Sequence, residues 1–209
     1  ILLPTRLDLA RSLRRLVEAR YQLQGASDHL VSEALYLADP DGNGIEIYAD
    51  RPRSAWPRIN DLLQMATEPL DLEGLLGELD RDGRPWEGLP ARTSIGHIHL
   101  HVADLRKAEG FYRGALGFDL VLRYGRSAAF LSAGGYHHHI GLNTWAGVGA
   151  PPPPPEAVGL RDFTIVLPDQ GELQHVIGRL RESGIGFDER ADAIALRDPS
   201  SNGLKLVVD

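Results

Sequence analysis

Apolar runs and amphipathic runs alternate along this chain, and the alternation recurs three times. Residues 1–16, ILLPTRLDLARSLRRL, read as an apolar strand, a proline stop and then leucines at three- and four-residue intervals, the spacing of a helix with one buried face. Residues 165–180, IVLPDQGELQHVIGRL, repeat that pattern. A second pattern joins DPDGNGIEIYAD at 39–50 to DPSSNGLKLVVD at 198–209. Each is a tight turn whose Asp, Asn and Gly supply Asx and left-handed positions, leading into a terminal strand. The third copy runs from IGHIHLHVADLRKAEGFYRGALGF at 95–118 through AAFLSAGGYHHHIGLNTW at 128–145. There the first strand ends at Val102, Asp104 is placed to cap a helix from Leu105 to Leu116, and GGYHHHIGLN at 134–143 reads as a strand. In that strand His137 and His139 share one face and His138 takes the other.

Self-similarity of this kind divides the chain into strand–helix–strands modules of about 45–55 residues. The expected division is a βαβββ module at 1–53 lacking the start of its first strand, and a linker at 54–93 with a helical LDLEGLLGELD. A second module at 94–149, a proline-rich spacer at 150–157 and a degenerate third module at 158–209 complete it. The fold class is α+β, with curved sheets pairing into open, cup-like barrels. Such a sheet is half exposed until a second module covers it, so an odd number of modules, opening on Ile1, leads us to expect a further module upstream.

Composition narrows the chemistry. A net charge of −7 argues against nucleic acid or an anionic membrane as partner, and no apolar run approaches the ~20 residues of a membrane span. The expectation is a cytoplasmic protein with a small-molecule partner, compatible with a homodimer. With no cysteine in the chain, any metal must be held by His and Asp/Glu. Six of the eight histidines fall between positions 97 and 139.

Three groups of polar residues stand out against the alternation. Glu46 shares a strand face with Tyr48, and the matching slot of the last module is Lys205; a solvated edge glutamate would be ordinary, but opposite charges in one slot imply that one copy carries a site. His97, His99 and His101 alternate with Ile98, Leu100 and Val102, which puts three imidazoles on one face. His29 and Tyr36 lie on the strands expected to flank Glu46. Two imidazoles and one carboxylate with open positions form the facial arrangement of non-haem Fe(II) oxygenases.

IGHIHLHVADLRKAEGFYRGALGF and DHLVSEALYLADPDGNGIEIYADRP resemble the vicinal oxygen chelate superfamily of glyoxalases, bleomycin-resistance proteins and type I extradiol dioxygenases. The likeness is nearest to bacterial catechol-2,3-dioxygenase-type proteins. It implies Glu46 and His97 as metal ligands, with a third, a histidine, falling upstream of Ile1. His29 and Tyr36 would be catalytic hydrogen-bond donors and His138 the acid–base residue. His99, His137, His139 and Asn143 would line the substrate pocket. The metal implied is Fe(II), with Mn(II) as the alternative, and the partners are a catechol-like aromatic and O2. Two other activities use the same scaffold: a glyoxalase-like lyase or isomerase, which would need a second carboxylate ligand, and a metal-free binder resembling bleomycin-resistance proteins. In the degenerate module Lys205 and Asp162 are expected to form an ion pair instead of a metal site.

Overall fold

The computed structural model describes residues 1–82 and 84–208; Gly83, in the expected linker, and Asp209, the end of the expected third module, lie outside the described residues. The chain forms two compact units that meet between His97 and Ile98 in sequence.

In the first unit, β1 (Leu2–Leu3) leads through Thr5 into α1 (Arg6–Glu18). Thr5 is extended, and its hydroxyl accepts the otherwise orphaned N–H of Asp8 at 3.1 Å, which starts the helix there. Then follow β2 (Leu23–Asp28), β3 (Ser32–Ala38) and β4 (Gly44–Asp50). β4 sits between β1, which runs parallel to it, and β3, which runs antiparallel. Leu9, Ala10 and Leu13 of α1 pack on Leu35, Leu37, Ile47 and Ala49, so alternate residues of β3 and β4 enter the core.

The stretch expected as linker belongs to this unit. β5 (Arg58–Ile59) and β6 (Leu62–Leu63) form a small hairpin, and β7 (Glu68–Pro69) adds a fifth strand beside β2. A proline is tolerated there because the strand is an edge. α2 (Leu72–Gly77) sends Leu75 into the same core. Ser94 then pairs with Leu2 through two backbone hydrogen bonds of 2.8 and 3.1 Å, carrying the chain back along β1 towards His97.

The second unit holds two βαβββ modules. The first has β8 (Ile98–His101), α3 (Leu105–Glu109), β9 (Asp119–Tyr124), β10 (Ala128–Ser132) and β11 (Ile140–Asn143). Asp104 accepts the N–H groups of Arg106 and Lys107 as the cap of α3, whose last part, Gly110–Ala115, widens into a π-turn. The other has β12 (Asp162–Leu167), α4 (Gln170–Glu182), β13 (Asp188–Glu189), β14 (Ile194–Arg197) and β15 (Gly203–Val208). Their sheets follow one plan, with the first strand parallel to the last. They share a core: Leu100, Phe111 and Leu142 cluster with Val176, Leu180 and Leu204. Arg179 of α4 donates to the carbonyls of Ala115 and Leu116 at 3.1 and 3.2 Å, capping the helix of the neighbouring module.

The strand expected at 134–143 is not continuous. Ser132 ends β10 and Ile140 begins β11, and the histidine triplet lies in the irregular turn between them. Gly134 and Gly135 both take positive φ, +62° and +68°, a conformation that turns the chain and that side-chain-bearing residues rarely adopt.

Candidate metal centre and histidine cluster

Alternation along β4 places Ile45 and Ile47 against the core and leaves Glu46 and Tyr48 on the other face. In the ladder Tyr36 is the direct partner of Glu46, and its hydroxyl donates to Glu46 Oε1 at 3.2 Å. His29 lies in the tight connection between β2 and β3, where Leu30 takes φ +68° and its N–H is accepted by Asp28 Oδ1. His29 Nε2 meets the Tyr36 hydroxyl at 2.5 Å, and His29 Nδ1 meets the carbonyl of Ala66 at 2.7 Å. A carbonyl only accepts, so Nδ1 carries a proton and Nε2 is the nitrogen turned to Tyr36. Burial, and then the charge of Glu46, push the Tyr36 phenol well above its usual range, so it holds its proton near neutral pH.

His97 completes the row. Its Nε2 is 2.8 Å from Glu46 Oε2, and its ring stacks on buried Tyr48 with centroids 4.5 Å apart and planes 20° apart. Gly96 makes this approach geometrically feasible: a Cβ there would lie 1.8 Å from the Tyr48 hydroxyl oxygen. The unit thus lines up Ala66, His29, Tyr36, Glu46 and His97 in one hydrogen-bonded path.

A second polar cluster sits in the other unit. Because the triplet leaves the strand, the rings of His137 and His138 turn towards each other, Nδ1 to Nδ1 at 2.9 Å. His138 Nε2 faces His99 Nε2 at 3.2 Å. His137 is 0% exposed and lies under the ring of Tyr136, centroids 4.1 Å apart. His139 accepts the N–H of Ala133 on Nδ1 at 3.2 Å, and its ring flanks the opposite end of this cluster, 4.8 Å from Tyr136. Asn143 is buried at the end of β11, where its Oδ1 accepts the N–H of Trp145 at 3.2 Å. His101 is exposed; its carbonyl accepts from Asn202.

The expected residues therefore gather as two sets, His29, Tyr36, Glu46 and His97 in one and His99, His137 and His138 in the other. The third ligand implied upstream of Ile1 lies outside this chain. Tyr48 and the Ala66 carbonyl were not among the expected site residues. Tyr48 was signalled by alternation, since it shares the face of Glu46; a backbone carbonyl carries no signature at all. In the third module Lys205 Nζ is 2.8 Å from Asp162 Oδ1, the ion pair expected between these two residues.

The donor set suits a divalent metal. Glu46 offers a carboxylate oxygen and His97 an imidazole nitrogen, ligand types that iron, zinc and copper accept. Glu46 Oε2 and His97 Nε2, 2.8 Å apart, have the separation of neighbouring ligands on one ion bonded at ~2.0–2.2 Å. Among the described residues no helix is long and apolar enough to cross a membrane.

Residues 94–202 match the family model of the glyoxalase/bleomycin resistance protein/dioxygenase superfamily. The chain is 53% identical over 203 residues to a catechol-2,3-dioxygenase of Bacillus subtilis (strain 168), covering 96% of this chain and 70% of that protein. Among solved structures it is similar to a lactoylglutathione lyase from Agrobacterium tumefaciens, with TM-score 0.44 and 23% identity over 57% of this chain and 96% of that one. It is also similar to a glyoxylase/bleomycin resistance protein/dioxygenase domain from Frankia sp. EAN1pec, with TM-score 0.45 and 20% identity over 56% and 97% of the two chains.

Proposed function

This chain belongs to the glyoxalase/bleomycin resistance protein/dioxygenase superfamily, and we propose that it is an extradiol dioxygenase that opens the ring of a catechol-like aromatic with O2. The observation that carries the reading is the hydrogen-bonded path from His29 through Tyr36 and Glu46 to His97, which sets a carboxylate and an imidazole together beside a buried phenol. Glu46 and His97 would hold the metal, for which Fe(II) is proposed. An Fe(II) ion held there would supply the Lewis-acid and redox chemistry that lets a catechol react with dioxygen.

The chain's own residues do the rest. Tyr48, stacked flat on His97, fixes the plane of that imidazole, and its own position is set by the absent side chain at Gly96. The Tyr36 hydroxyl has one proton and two acceptor-facing neighbours, Glu46 Oε1 and His29 Nε2. Burial and the charge of Glu46 keep that phenol protonated, so it stands beside the carboxylate as a hydroxyl. His138 takes the acid–base role: its Nε2 receives the proton of a catechol hydroxyl and later returns it to the ring-opened product.

The reading is tested with protein purified without oxygen, loaded with Fe(II) and given catechol in air. Accumulation of the yellow ring-opened semialdehyde, with uptake of one O2 per catechol, is the expected result. Fully iron-loaded protein that consumes no O2 with catechol or substituted catechols would overturn it.

A further inference from the structure

A cavity of about 330 Å3 opens in the second unit, between the π-turn that follows α3, the loop after α4 and the turn at Asp198. The helix itself makes the room. A π-turn carries an extra residue and widens the coil, and such turns recur at functional sites. Here it runs Gly110–Ala115, and Gly110 stands on the cavity wall without a side chain. A Cβ built there would meet no atom beyond the local helix backbone within 4 Å, so no neighbour fills this space. The inner wall is apolar, with Phe111 buried and Ile185 half-buried. Two exposed cations, Lys107 and Arg197, complete the lining.

These charges do not cancel. The carboxylate on the wall, Asp198, is buried and fully engaged. Its Oδ1 accepts the N–H groups of Ser200 and Asn202 at 2.8 and 2.9 Å, and its Oδ2 accepts the Tyr112 hydroxyl at 3.1 Å and the Asn202 amide at 2.9 Å. Arg197 gives one N–H to the carbonyl of Ser201 at 2.7 Å, which leaves most of its donor fork open. Among the described residues the Lys107 ammonium forms no ion pair. Two cations against one carboxylate leave a single positive charge unmatched beside an apolar wall. A neutral ring would leave that charge unused, and a dianion would exceed it.

We propose that this cavity binds a small aromatic carboxylate, its ring against Phe111 and Ile185 and its carboxylate facing Lys107 and Arg197. The volume suits a single ring, at the small end of the ~300–1,000 Å3 range of ligand sites. Arginine offers a planar fork that matches a carboxylate, and lysine a mobile ammonium that adapts to it. None of these residues belongs to the metal or acid–base set, so the proposal does not depend on the ring-cleavage reading.

The test is a benzoate titration of the full chain followed by 1H–15N NMR, with benzamide as the neutral probe of the same shape. Benzoate should move the amide signals of Gly110, Phe111, Ile185 and Asp198 saturably, with a Kd of ~0.1–10 mM, as befits a ligand of few atoms in an open cavity. Benzamide should bind ~10-fold more weakly, and Lys107→Gln should weaken benzoate by ~3–10-fold. Gly110 has ordinary helical angles, φ −56° and ψ −39°, so Gly110→Leu fills the cavity without backbone strain and should abolish the shifts. No saturable shift at these residues over that range overturns the proposal. Benzamide bound as tightly as benzoate overturns it too, as does wild-type benzoate affinity in Lys107→Gln or in folded Gly110→Leu. Should Gly110→Leu fail to fold, the benzamide comparison and Lys107→Gln, a change at an exposed side chain, decide.

Discussion

The hydroxyl oxygen of Tyr48 occupies the space in which a side chain at Gly96 would begin, 1.8 Å from the position of its Cβ. Tyr48 is fully buried and stacked on His97, so it cannot swing aside without moving the imidazole. Gly96→Ala should therefore lower stability by ~1–3 kcal/mol, the range for overpacking a tight interior. For a chain of this size that is a fall in Tm of roughly 3–10 °C. Calorimetry should also show part of the loss restored by adding Tyr48→Phe, because the two positions share one contact.

Tyr36 gives a pH prediction. Its phenol is raised by burial first and by Glu46 second. A group raised in the folded state favours the fold fully below its unfolded pKa, near 10, and that advantage is lost as pH rises beyond it. Spectrophotometric titration should find fewer than the six tyrosines of the chain ionised while it remains folded near pH 11, and stability should fall above pH ~10. Tyr36→Phe should leave the number of readily titrating tyrosines unchanged.

His138→Ala should retain iron near the wild-type level and reduce kcat by ~10²–10⁴, the range for a lost acid–base group. Single-turnover kinetics with metal analysis on the same samples separates the two quantities.

Lys205 and Asp162 hold a different role. Their pair is partly exposed, so Lys205→Ala should cost only ~0–1 kcal/mol and leave turnover unchanged. The Asp162 carboxyl is held below its usual range, first by its hydrogen bond to Lys205. Its contribution is present above the unfolded pKa and lost as pH falls through the lowered folded pKa, so the stability difference between Lys205→Ala and the wild type should begin to shrink once pH falls below ~4.

Period and turn chemistry made the modules legible in the sequence. The Asp104 cap, the DPxxNG turns and the 3.6-residue spacing are local signals, and each marks an element where the structure has one. Glu46 and Tyr48 were readable as face-mates because a strand alternates strictly. The histidine triplet was misread as strand because apolar flanks outweighed Gly134 and Gly135, whose positive φ is a property of the fold. The meeting of His97 with Glu46 across 51 positions, and the reach of Ala66 to His29, depend on how the segment after β4 returns along β1. No local pattern encodes that path.

The central claim is that Glu46 and His97 hold one metal ion. Anaerobic Fe(II) titration of the wild type, Glu46→Ala and His97→Ala tests it most directly, since it needs no turnover. The wild type should bind about one ion per chain, and each variant should lose at least ~10²-fold in affinity, beyond the cost of removing an outer partner of a ligand. Fe(II) bound by either variant as tightly as by the wild type would contradict the claim.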